Sequence, residues 1–148
     1  LSPGPGIPEE AGIMPALIKR YASEKAIFGV CLGHQAIGEA FGGKLINLDE
    51  VQHGIETEMT RTREDDVIFR DIPTTFNAGR YHSWVIDPAA MPKELEITAT
   101  GEYGGVMALQ HKTLPIFGVQ FHPESIMTEH GRLMIRNLLR HCSQLASC

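Results

Sequence analysis

A short apolar strand that passes into a helix through a Gly-x-Cys-x-Gly turn leaves few folds open, and Ile27-Phe28-Gly29-Val30-Cys31-Leu32-Gly33-His34-Gln35 has that form. It is the cysteine counterpart of the Gly-x-Ser-x-Gly elbow, in which a nucleophile stands on a sharp strand-to-helix corner. Such a corner strains its central residue, so Gly29 and Gly33 are needed to leave room for neighbouring backbone. It also sets Cys31 at a helix N-terminus, where the dipole and free N–H groups favour a thiolate, and aims the Leu32 N–H at the place where an oxyanion would form. A free cysteine taken singly is most often a small buried hydrophobe. The turn reverses that reading for Cys31; it stands for Cys142, on an apolar helix face, and for Cys148, at the chain end.

The rest of the chain supplies a sheet for this corner. Leu1–Pro8 is punctuated by Gly and Pro and reads as a turn. Helices are expected over Pro15–Ala22, over Leu32–Phe41 up to the stop Gly42-Gly43, and over Arg132–Cys142, where Met134, Leu138 and Cys142 share a face. Strands are expected at Ala26–Val30, Ile55–Met59, Glu96–Thr100, Val106–His111 and Ile116–Phe121. With 148 residues, 43% of them hydrophobic and 21% charged, the whole of 1–148 reads as one domain with a real core. Strands mixed with helices mean α/β or α+β, and periodicity does not choose between them.

Composition excludes several partners. The formal charge is −5 and no run of Lys and Arg exceeds a pair, which argues against nucleic acid. The apolar runs are far shorter than the roughly 20 residues that cross a bilayer. Three cysteines without paired or metal-like spacing argue against a disulfide framework and make the cytoplasm the default compartment.

A cysteine nucleophile needs a base and a group to orient it. His122 follows a predicted strand directly, in Gly118-Val119-Gln120-Phe121-His122-Pro123-Glu124, and Pro123 ends the ladder there. His122 and Glu124 are thereby held at a strand end, where α/β sheets put their sites. Glu124 can accept from one ring nitrogen and leave the other for the thiol. His-x-Glu is also a metal fragment, but no third ligand stands at a recognisable spacing. His34, three residues along the helix from Cys31, is poorly aimed to deprotonate it and reads as structural. His53, His111, His130 and His141 read as ordinary surface or partly buried histidines.

At this point the residues resemble a family. The strings Gly29–Gln35 and Gly118–Ser125 look like the two signatures of the class I, triad-type glutamine amidotransferases. Ser2-Pro3-Gly4-Pro5-Gly6 resembles the family's oxyanion turn, and Arg80-Tyr81-His82-Ser83 resembles the branch that serves chorismate, the small subunits of anthranilate synthase and aminodeoxychorismate synthase. The resemblance implies an α/β fold, flavodoxin-like, with an open, mostly parallel sheet between helices. It implies hydrolysis of L-glutamine to glutamate and ammonia by a Cys31–His122–Glu124 triad. The Gly4 and Leu32 amides would form the oxyanion hole, with Pro5 and Gly6 in the same turn and Gly6 allowing close approach. Gln35, Ser83 and Trp84 would hold the amino-acid end of the substrate, and His82 would support its loop. No cofactor and no metal are implied. The partner implied is a chorismate-binding synthase, with anthranilate ahead of aminodeoxychorismate as its product; a stand-alone γ-glutamyl hydrolase and an inactive regulatory module are the alternatives.

Two departures from the pattern are visible. The family begins with a strand and helix upstream of the Ser-Pro-Gly-Pro-Gly turn, so a longer natural protein, with its first strand missing here, is expected. Trp84 also stands where the chorismate branch has a smaller aliphatic residue.

Overall fold

In the computed structural model, which describes residues 1–146, the chain forms a six-stranded sheet with helices on both faces. Helix α1 (Met14–Tyr21) leads to β1 (Ile27–Val30) and α2 (Leu32–Ala40); then come β2 (Leu45–Arg61), β3 (Thr75–Ile86), β4 (Leu95–Thr100), β5 (Val106–His111), β6 (Ile116–Val119) and α3 (Gly131–Ala146). Every element expected from periodicity is present, and all but the strand at Ile55–Met59 match within a few residues. Cys148 lies outside the described residues. No described helix is long and apolar enough to cross a membrane.

The α/β class holds, but the sheet is mixed rather than mostly parallel. Its order is β1-β6-β5-β4-β2-β3, and only β1 and β6 run parallel, in register from Ile27↔Ile116 to Val30↔Val119. Parallel neighbours need a crossover of a dozen or more residues, usually through a helix. Residues 101–105 and 112–115 are too short for that, so β4, β5 and β6 pair antiparallel.

The second difference lies in the middle of the chain. The expected short strand Ile55–Met59 is part of the long β2, and β2 and β3 form a long antiparallel hairpin. Gln52-His53-Gly54 lies within β2, and Arg80–Trp84 lies within β3. The pairing is irregular on the β2 side only: residues 48–51 face a span that β3 crosses with Ser83 alone, and Gly54 is a further extra residue between His53↔Tyr81 and Ile55↔Arg80.

Alternation along the strands divides the core. Ile116 and Leu109 point to the face covered by Ile18 of α1 and Ile37 of α2. Phe117 and Met107 point to the other face, where Phe69, Phe76 and Phe121 pack with Met134 and Leu138 of α3. The stretch between β2 and β3 is tied to α3 by Asn137, whose side-chain amide donates to the carbonyls of Ile68 and Arg70.

Candidate functional site

β1 and β6 end side by side, and the next residues of each strand carry the predicted chemistry. Cys31 has φ 53 and ψ −103, a conformation that costs a non-glycine residue of order 1–3 kcal/mol. The neighbouring backbone enforces it. A Cβ on Gly29 would lie 2.4 Å from Gly33 C and 2.7 Å from the His34 amide nitrogen, so strand and helix meet at a distance that excludes any side chain. The Cys31 amide donates to Val119 O (2.8 Å), which locks the corner to the end of β6.

The thiol is buried. Its Sγ lies 3.9 Å from Tyr81 O and accepts from Gln120 Nε2 at 3.6 Å. Burial raises its pKa, and the Glu124 carboxylate adds to the rise; amide hydrogen bonds from Leu32 and Gln120 oppose it.

Beyond β6, His122 is held by main-chain bonds to β3. Its N–H donates to Gly79 O, and its carbonyl accepts from the Thr128 hydroxyl, which in turn accepts from the Gly79 amide. His122 Nδ1 lies 2.7 Å from Glu124 Oε1, and its buried Nε2 makes no hydrogen bond among the described residues. Tyr81 stands against the edge of the His122 ring at 4.9 Å between centroids. His122 and Glu124 are therefore paired, while the Cys31 sulfur rests on Tyr81 and Gln120 rather than on His122.

A cavity of about 170 Å³ opens over the thiol. Gly4, Pro5, Gly6, Gln35, Ser83 and Trp84 line it together with Cys31. Leu32 is buried beneath, and the Leu1 carbonyl accepts from the Val30 amide, which carries the Ser2–Gly6 turn onto the end of β1. Val51, His53 and Tyr81 also line the cavity, a place that residue patterns do not give them. They belong to a hairpin that periodicity did not show.

Two histidines are structural in geometry. His34 is wholly buried, packed against Gly118, and burial lowers its pKa to about 3 against the opposing pull of the Gly118 and Val106 main chain. His82 Nδ1 is 2.9 Å from Trp84 O, a carbonyl that can only accept, so this nitrogen carries the proton. Nε2 then accepts from Arg80 Nε at 3.0 Å, and burial with the nearby Arg80 charge lowers the His82 pKa to about 4. Among the described residues no cluster of His, Cys, Asp or Glu is arranged to hold a metal ion.

Fold and corner define an α/β protein with a cysteine on a strained strand-to-helix elbow. The family model for class-I glutamine amidotransferases matches residues 1–142, and the chain belongs to that family. It is 44% identical over 146 residues to anthranilate synthase component 2 of Azospirillum brasilense, covering 98% of this chain and 74% of that protein. It is 42% identical over 139 residues to aminodeoxychorismate synthase component 2 of Escherichia coli, covering 94% and 73%. It matches the bifunctional protein TrpGD of Thermotoga maritima at 46% identity over 139 residues, 94% of this chain but only 23% of that protein. The crystal structure of a candidate GMP synthase subunit from Thermoplasma acidophilum superposes with a TM-score of 0.84 at 27% identity, over 96% of this chain and 71% of that one.

Proposed function

We propose that this chain is the glutamine-hydrolysing domain of a two-component synthase that acts on chorismate, with anthranilate as the product ahead of aminodeoxychorismate. Cys31 attacks the side-chain amide carbon of L-glutamine, His122 takes the thiol proton and passes it to the departing ammonia, and water then releases glutamate from the thioester. Glu124 holds the His122 ring with Nε2 free for the sulfur. The Gly4 and Leu32 amides receive the oxyanion, worth about 10²–10³ in rate per donor. Gln35 and the backbone of Ser83 and Trp84 hold the amino-acid end, with Pro5 and Gly6 closing the opposite wall. The observation that carries this reading is Cys31 itself, a strained cysteine on an elbow at the floor of a polar cavity.

The partner reading rests on the same geometry. The sulfur engages Tyr81 O and the His122 Nε2 engages nothing among the described residues, so a shift of β3 or the His122 turn on docking would bring thiol and base together. Ile46, Val51 and Ile55 expose apolar side chains on β2, and Val51 lies at the cavity itself, where a synthase would both cover the site and receive ammonia. Cytoplasmic residence is part of this reading.

The test is a synthase assembled with the Cys31→Ala chain. Glutamine-dependent synthesis is expected to vanish while synthesis from added ammonium salt continues. Loss of the ammonium reaction in a normally assembled complex would overturn the division of labour.

A further inference from the structure

Gln120 has no assigned role, yet it is wholly buried and touches both Cys31 and Gln35. Its main chain is pinned by an N–H bond to Met107 O at 2.8 Å. The orientation of its side chain follows from one backbone atom. Trp84 O can only accept, and Gln35 Nε2 donates to it at 2.8 Å. The same amide nitrogen also reaches Gln120 at 3.1 Å, so Gln120 presents its oxygen on that side. Its own NH₂ is left against Cys31 Sγ, 3.6 Å away.

We propose that Gln120 is a positioning residue for Cys31, offering an N–H that the sulfur needs once it is ionised. The proposal rests on the reading of Cys31 as the nucleophile. Besides the Leu32 amide, the thiol has two neighbours of opposite kind, Tyr81 O and the Gln120 side-chain amide. A thiol can donate to the first and accept from the second. A thiolate has nothing to donate, is repelled by the carbonyl and gains a charge-assisted bond from the amide. Ionisation therefore draws the sulfur away from Tyr81 and towards Gln120. The Gln35–Trp84 anchor keeps that amide from rotating to present its oxygen instead. The same donor opposes the effect of burial on the thiol.

The experiment measures the rate of Cys31 alkylation by iodoacetamide against pH, in the wild type and in Gln120→Leu and Gln120→Glu. Leucine removes the donor, and glutamate replaces it with an acceptor. The midpoint is expected to move to higher pH in both, further in the glutamate variant, with alkylation at pH 7 reduced roughly tenfold or more in Gln120→Leu. Glutamine turnover should show a fall in kcat with KM changed less than about twofold, the pattern of a group needed only by the reacting sulfur. Superimposable alkylation profiles in folded variants would overturn the proposal. Should neither variant fold, the side-chain NH₂ resonances of Gln120 in the wild type decide. They must titrate with Cys31, and resonances that ignore its ionisation would overturn the proposal equally. Alkylation needs no glutamine, so these outcomes are read separately from the glutaminase activity of Cys31→Ala.

Discussion

The parallel pair β1/β6 and the antiparallel hairpin β2/β3 border the same cavity but contribute to it differently. The pair ends in the side chains proposed to react: Cys31 one residue past β1, and His122 and Glu124 just past β6. The hairpin contributes mainly carbonyls, with Tyr81 O beneath the sulfur and Trp84 O receiving both Gln35 and His82. A side chain at a strand end must be of one chemical type and must be forced into position by the backbone around it. A strand carbonyl is present whatever the residue, provided the strand keeps its register. The pair should accordingly tolerate little substitution, and the hairpin considerably more.

The largest effect expected is on chemistry. His122→Ala should lower glutamine hydrolysis by about 10⁴-fold, and Glu124→Gln by less, because the carboxylate only holds the ring. Glutamate release by the assembled enzyme measures both; near-normal turnover in the His122 variant would break the assignment of reactivity to the parallel pair. Next comes backbone tolerance. Gly29→Ala forces a Cβ into rigid backbone 2.4 Å away and should cost about 3 kcal/mol or more. Gly54→Ala in the hairpin, at φ +68 with only Tyr81 Cε1 nearby at 3.7 Å, should cost about 1–2 kcal/mol. Equal losses in thermal unfolding would erase the contrast.

The last effect, comparable per residue with that at Gly54, concerns acid. His82 and His34 are held neutral, with folded pKa values near 4 and 3, below the ordinary 6.5. The unfolded chain binds protons first as pH falls, so their contribution is intact above about pH 6.5 and is lost on the way down to those folded values. By pH 5 each histidine should cost about 2 kcal/mol relative to pH 7. Replacing His82 with Gln should remove its share of the slope in urea unfolding. An unchanged slope would mean that the hairpin does not titrate and that the parallel side alone carries the acid sensitivity.

The legibility of the two regions follows the same division. Gly29, Cys31 and Gly33 announce the corner because its sterics dictate residue types over a few consecutive positions, and Pro123 marks the end of β6 in the same local way. The hairpin gave little sign of itself. Most of β2 up to Glu58 is exposed or half-exposed and its irregular pairing interrupts any period of two, so Leu45–Gly54 carries no clean alternation. Parallel pairing was expected too widely: it came with the family resemblance, although the short spans 101–105 and 112–115 already required antiparallel neighbours. Gln120 stands inside a legible motif without a legible role. Its meaning lies in Trp84 O, a backbone atom that no side-chain pattern encodes.

The uneven pairing of β2 against β3 has an evolutionary consequence. All the surplus length is carried by β2, at residues 48–51 and at Gly54, while β3 runs without interruption past the carbonyls that meet Cys31 and Gln35. Slack on one strand works like a spare loop in a cable: it can be lengthened, shortened or rewritten without pulling on the fixed end. The rim bearing Val51 and His53 can thus diversify from one lineage to the next while the floor of the cavity stays in register. What the surface meets is thereby carried on β2, apart from the β3 carbonyls that face Cys31 and Gln35.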